Sequence, residues 1–164
     1  YGIDRLLKMY SIFRQKVDSP SRLLIYGEGG RGDFLKELTK ELKIEEHVSF
    51  MGFVTGEVLV KAYQSFDVFV SLSRRESFGV ATLEAQSCGA LAMVTNVGGL
   101  PEVTCPESGR IVNEDDEENW VNDLIELSQE ARIVQQKEQA RTFVEQNFSD
   151  KACVDKLIEV YQNV

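Results

Sequence analysis

Glu76 and Glu84 stand eight residues apart in the stretch SRRESFGVATLEA, with Ser77, Phe78, Gly79 and Val80 between them. An apolar run ends just before this stretch, and a helical pattern from Phe78 to Cys88 follows. Ser77 is placed to cap that helix. The amides of Phe78, Gly79 and Val80 then lie at a helix N-terminus. First-turn N–H groups lack intrahelical acceptors there, and the helix dipole adds positive potential. Such a terminus holds an anion, and Gly79 lets one approach the backbone. Two carboxylates beside it would repel a bare phosphate. They suit a ligand that also carries hydroxyls, because a carboxylate accepts from vicinal hydroxyls through both oxygens. A phosphate on the amides with a hydroxyl-bearing ring on each side describes a nucleotide-sugar. A plainer reading has Glu76 as a solvated loop charge and Glu84 as an exposed helical residue paired with a neighbour. Residue types and spacing leave the two readings open.

A second candidate is Gly27-Glu28-Gly29-Gly30-Arg31-Gly32, which fits the spacing G-x-G-x-x-G. A dinucleotide site would also need an acid about 20 residues on, at the end of the next strand. That strand ends in VSFMGF, and Glu45 and Glu46 precede it, at its opposite end. The glycines therefore read as a tight strand-to-helix turn that lets a phosphate or sugar approach the helix start. Ser73, in the loop before Glu76, is a further candidate for ligand contact. Arg74 and Arg75 add positive charge beside it. His47, the sole histidine, sits at a helix-to-strand turn away from these loops, which leaves histidine acid–base chemistry without a donor.

The elements that must position these residues alternate along the chain. Helical spacing of Leu6, Leu7, Tyr10, Ile12, Phe13 and Val17 predicts a helix over Asp4–Val17, closed by Pro20. Strands are expected at Leu23–Tyr26, Val48–Met51, Asp67–Leu72, Leu91–Thr95 and Gly109–Val112. Helices are expected at Phe34–Leu42, with Asp33 as cap, at Glu57–Gln64, with Leu59, Val60 and Tyr63 on one side, and at Phe78–Cys88, stopped by Gly89. Leu100–Val103 begins a short helix. From about Asp115 the chain reads as helical, broken near Gln129 and Asn147, with Trp120, Leu124 and Leu127 as core. Short strands that are apolar on both faces, alternating with helices, predict an α/β fold: a doubly wound, Rossmann-like parallel sheet covered on both sides. Ligands in such folds lie beyond the carboxyl ends of the strands, where Gly27–Gly32, Gly52–Gly56, Ser71–Ser77 and Asn96–Gly99 all fall.

The chain of 164 residues suits a single domain, residues 1–164. A net charge of -9 argues against a nucleic-acid partner, which requires a basic face. Three cysteines, Cys88, Cys105 and Cys153, give no close pair for a disulfide framework or zinc site, and fit a reducing cytosol. The apolar runs are too short to span a bilayer.

The motifs together resemble the donor domain of retaining GT-B glycosyltransferases of glycosyltransferase family 4. ESFGVATLEA resembles the family's E-x7-E motif, LLIYGEGG its Gly-rich strand end, and VSFMGFV with AYQSFDVFVSLSRRESFG its middle. GGLPEV, ESGRIV and the closing LIEVYQ resemble its last loops and helices, so the likeness covers nearly the whole chain. It implies the C-terminal half of a GT-B fold, with the acceptor-binding N-terminal domain outside this sequence. Glu76 would hold donor-sugar hydroxyls and Glu84 the ribose. The amides of Phe78, Gly79 and Val80, with Ser77, would face sugar and phosphate. Gly27 and Gly29 would line the diphosphate cleft, and Phe53 and Val54 would flank the base. The implied donor is a UDP- or GDP-sugar, the acceptor a glycan or lipid, and neither cofactor nor metal ion is needed. The resemblance further implies a cytoplasmic protein, peripheral at the membrane in polysaccharide, lipopolysaccharide or glycolipid assembly. Two departures stand out. The family's diphosphate-binding Arg and Lys would precede Tyr1, and Leu91 replaces a common proline. A sugar-nucleotide epimerase on this architecture would need further acid–base groups. A non-catalytic nucleotide-binding module would not need the intact Glu76, Glu84 and Phe78-Gly79.

Residues 1–164 are expected to bind donor nucleotide weakly and to turn over no acceptor alone. A turnover assay on the purified chain with a simple acceptor checks this, and sugar transfer would contradict it.

Overall fold

The computed structural model describes residues 1–113, 117–131 and 133–162. The elements are α1 (Ile3–Lys16), β1 (Leu23–Tyr26), α2 (Gly32–Glu41), β2 (Val48–Gly52), α3 (Gly56–Gln64), β3 (Val68–Ser71) and α4 (Val80–Ser87). There follow β4 (Leu91–Thr95), α5 (Leu100–Val103), β5 (Arg110–Val112), α6 (Glu117–Glu130), α7 (Val134–Phe148) and α8 (Asp150–Gln162). All strand pairings are parallel. Leu23 lies opposite Val48 in the β1–β2 ladder. In the order β3-β4-β5, Val68 lies opposite Leu91 and Met93 opposite Arg110.

Within the described residues the five strands hydrogen-bond as ladders of two and three rather than as one continuous sheet. Burial follows the pairing. β4, flanked on both sides, is buried at every residue, whereas all four residues of β3 are half-buried.

Strand alternation still sends side chains to two opposite faces. Leu23, Ile25, Val48, Phe50, Val68, Val70, Leu91 and Met93 join Leu7, Tyr10 and Phe13 of α1, Leu38 of α2 and Trp120 and Leu127 of α6 in the main core. On the other side Phe69 packs with Tyr63 and Ala85, and Ala92 and Val94 pack with Leu100. Helices thus cover both faces, as a doubly wound fold requires. Trp120 is core, as its spacing implies, and its indole N–H donates to the Asn113 carbonyl at 2.9 Å. α7 packs on α4, and α8 lies on α7.

Three local expectations change. Asp33 is not a cap: α2 begins at Gly32 behind Arg31, and Asp33 falls in its first turn, where a negative charge complements the dipole. Val60 is exposed, because α3 buries only Ala62 and Tyr63, with Leu59 half-buried. Ile12 is likewise exposed, and Met9 takes its place in the core.

The helix that carries Glu84 is tied down by a buried polar side chain. Gln86 is fully buried; its amide donates to the carbonyls of Thr82 at 3.2 Å and Val103 at 2.7 Å. Its oxygen accepts the Cys105 N–H at 2.8 Å. α4 is thereby stitched to both ends of the turn that leaves α5. Gln86→Leu would strand the Cys105 N–H and Val103 carbonyl inside the protein, at about 1–3 kcal/mol for each unsatisfied group. Urea unfolding is expected to show a fall of roughly 2–6 kcal/mol, and an unchanged midpoint would refute the stitch.

Candidate active site

The four glycine- and serine-bearing loops gather at the carboxyl edge of the strands. The loops after β1 and β2 lie side by side: the Gly27 amide donates to the Gly52 carbonyl at 2.8 Å, and the ladder register shifts at Tyr26. Gly27 has φ +115°, a conformation that demands glycine. A side chain at Gly29 would meet open space within 4 Å, so packing inside the protein does not explain its lack of one. Beside them Phe53 stands 70% exposed and Val54 half-buried, leaving an aromatic face uncovered at the rim.

The loops after β3 and β4 interlock more tightly. Gly98 has φ +54°, and a Cβ there would sit 1.6 Å from the Glu76 carbonyl oxygen. A Cβ on Gly99 would lie 2.9 Å from the Cα of Phe78 and from the carbonyl oxygens of Ser77 and Phe78. Backbone therefore rests on backbone, and no side chain fits between. Underneath, the Thr95 hydroxyl donates to the Ser73 carbonyl at 2.6 Å.

Helix α4 begins two residues later than a serine cap would place it. Its N-cap is Gly79, in the left-handed region at φ +98°, with no side-chain capping bond, so Ser77 lies outside the helix. A Cβ on Gly79 would come within 2.8 Å of Leu100 and 3.1 Å of Val103, so α5 also packs against this glycine. The Thr82 and Leu83 amides donate to the Gly79 carbonyl at 2.9 and 3.3 Å, which leaves the amides of Val80 and Ala81 as the first-turn donors ahead of the intrahelical bonds. Phe78 turns its ring to Phe148 at the end of α7, with centroids 6.2 Å apart, so its contribution at the edge is backbone.

The two glutamates are held differently. Glu76 is half-buried and accepts the Ser77 N–H on Oε1 at 3.0 Å. Glu84 is exposed on α4 and accepts the Tyr63 hydroxyl on Oε2 at 3.0 Å. Sequence reading places Tyr63 on the apolar side of α3 and gives no sign that its hydroxyl reaches α4.

Two other candidates fall elsewhere. Ser73 is buried, its hydroxyl 3.2 Å from that of Ser71, and it does not line the edge. Arg74 forms a two-pronged pair with Asp4 at the start of α1, at 3.0 and 2.9 Å. The Arg74 hydrogen bond is the main cause that lowers the Asp4 carboxyl to about 2, and the Arg31 charge acts in the same direction. Arg74 and Asp4 therefore join the loop after β3 to the N-terminus of α1. His47 lies in a single 3-10 turn just before β2, at the far edge. Shallow grooves on α7 and α8, one lined by Glu145, Lys151, Asp155 and Glu159, contain none of the motif residues.

Comparison with known proteins places this geometry. The family model described as glycosyl transferases group 1 matches residues 1–148. An uncharacterized glycosyltransferase of Methanocaldococcus jannaschii is 42% identical over 102 residues, covering 62% of this chain and 26% of the relative. A D-inositol 3-phosphate glycosyltransferase of Rhodococcus opacus is 34% identical over 157 residues, 92% of this chain and 35% of the relative. The chain thus spans only about a quarter to a third of the length of these two relatives. Among solved structures, the pneumococcal O-GlcNAc transferase GtfA, in complex with UDP and GlcNAc, shares the fold with a TM-score of 0.80 at 20% identity, over 98% of this chain and 33% of that one. The match over residues 1–148 shows that this chain belongs to the glycosyl transferases group 1 family.

Proposed function

We propose that residues 1–164 are the donor-binding half of a retaining glycosyltransferase that moves a hexose-type sugar from a nucleoside diphosphate to a glycan or lipid acceptor. The observation that carries this reading is the start of α4. Glu76 and Glu84 flank a stretch of backbone fixed by Gly79 and by the Gly98–Gly99 turn. An anion on the Val80-side amides would have a glutamate on each side along the chain to accept from the hydroxyls of the two rings it joins.

In this assignment Glu76 holds the sugar, Glu84 the ribose, and the amides of residues 78–80 the phosphate and sugar. Gly27 and Gly29 give the diphosphate room. Phe53 and Val54 take the base, with the exposed Phe53 ring as a stacking surface. When the sugar leaves, negative charge grows on the diphosphate. Fixed amides and the α4 dipole stabilise it without reorganisation. The reading therefore needs neither cofactor nor metal ion. The UDP bound by GtfA makes UDP the first nucleotide to try. A sugar-nucleotide epimerase fits less well, because His47 lies at the opposite edge of the strands. Among the described residues no helix is long and apolar enough to cross a membrane, and the proposed setting is the cytoplasmic membrane face, with any attachment peripheral.

Calorimetric titration with UDP, GDP, ADP and their sugars tests the assignment. At least one is expected to bind at submillimolar to millimolar concentration. Glu84→Ala should weaken it about 10- to 100-fold, the worth of a charge-assisted hydrogen bond, about 1.5–3 kcal/mol. No binding at millimolar ligand, or binding indifferent to Glu84→Ala, would overturn the assignment.

A further inference from the structure

The reading of Glu84 as the ribose acceptor leaves open what keeps an exposed glutamate in place. A glutamate on a helix surface has three rotatable side-chain bonds and loses rotamer entropy whenever it is fixed. Glu84 is held from the neighbouring helix. The Tyr63 hydroxyl donates to Oε2 across the α3–α4 contact at 3.0 Å.

Tyr63 is well built for this. Its ring is 7% exposed and sits among Leu59, Phe66, Phe69, Ala85, Cys88 and Ala90. Phe66 meets it edge-on with centroids 5.9 Å apart, and Phe69 at 6.2 Å. Such contacts fix both of its side-chain angles, so the hydroxyl has one position from which to donate. Burial, and next the hydrogen bond to Glu84, push the phenol well above its ordinary range, so it stays a donor at any working pH. An ionised carboxylate offers about four lone-pair positions. Tyr63 occupies one of them, and a vicinal diol needs two, one on each oxygen.

We propose that Tyr63 is a positioning residue for nucleotide recognition: by anchoring Glu84 Oε2 it presets the carboxylate for the two ribose hydroxyls, and so sets the preference for ribose over 2′-deoxyribose. The inference rests on the donor-site reading above. Releasing a preset side chain costs about 0.5–1.5 kcal/mol per rotamer-rich group, which is about two- to tenfold in affinity.

The test measures the affinities of UDP, GDP and ADP, each against its 2′-deoxy form, on the wild-type chain, Tyr63→Phe, Glu84→Gln and the double variant. Tyr63→Phe keeps the ring and its packing, and a melting temperature reports whether the fold is kept. The wild type should prefer a ribonucleotide. Tyr63→Phe should weaken that ribonucleotide about two- to tenfold, weaken the deoxy form clearly less because it keeps one of the two hydroxyls, and add little on top of Glu84→Gln. If Glu84→Gln abolishes the preference while Tyr63→Phe leaves it intact or weakens both forms alike, Tyr63 is structural only and the inference is overturned. If no nucleotide binds, or Glu84→Gln leaves the preference intact, the donor-site reading fails and the inference fails with it.

Discussion

Between the turn after β4 and the loop after β3 there is room for backbone and nothing else. The Glu76 carbonyl occupies the space where a side chain on Gly98 would begin, and Gly99 lies against Ser77 and Phe78 in the same way. From this contact the rest of the edge follows. It fixes where residues 76–78 run, and hence where Gly79 turns left-handed and α4 starts. Leu100 and Val103 close over Gly79 from the helix that the same turn launches, and Gln86 returns from α4 to bind the end of that helix. Helices α4 and α5 form one block with the turn, so the first amides of α4 are aimed by a scaffold rather than by a flexible loop. Such prior fixing is what electrostatic stabilisation of a developing charge requires.

The edge divides its work between backbone and side chains. In the proposed site backbone amides would supply the positive end, so a chain with a net charge of -9 would need no basic side chain there to hold an anion. The nearby arginine Arg74 is engaged with Asp4, where it ties α1 to the loop after β3. Side chains would supply the acceptors, and each of the two glutamates is steadied by a different device. Glu76 folds back on the next residue's amide, while Glu84 leans on a buried tyrosine of another helix. The first is local and moves with its loop. The second depends on how α3 and α4 pack.

What could be read from the sequence tracks the range of the forces involved. Element type and order were legible, because strands of four or five apolar residues and helical spacing are local signals. The placement of Trp120 and Leu127 in the core was legible for the same reason. Gly89 stops α4 as its position implies. The cap of that helix was not legible: a serine oxygen is the usual cap, but here the packing of Leu100 and Val103 on Gly79 sets the turn. Ser73 looked like a loop residue facing ligand, and only the fold shows it buried, with its carbonyl accepting the Thr95 hydroxyl. The separation of the strands into two ladders is likewise a long-range property. The roles of Glu76 and Glu84 came from motif resemblance, and the partnership of Glu84 with Tyr63 from neither motif nor periodicity.

The strand β3 carries neither charge nor proline among Val68–Ser71, and it does not lie bare. Val68 and Val70 share the main core with Leu23 and Ile25 of β1, and the Tyr26 ring at the end of β1 meets Phe66, just before β3, with centroids 5.8 Å apart. Among the described residues the two groups of strands are therefore joined by side chains rather than by a continuous ladder. Apolar packing is non-directional, whereas a hydrogen-bonded ladder fixes register, so this seam holds the spacing of the two groups more strictly than their alignment.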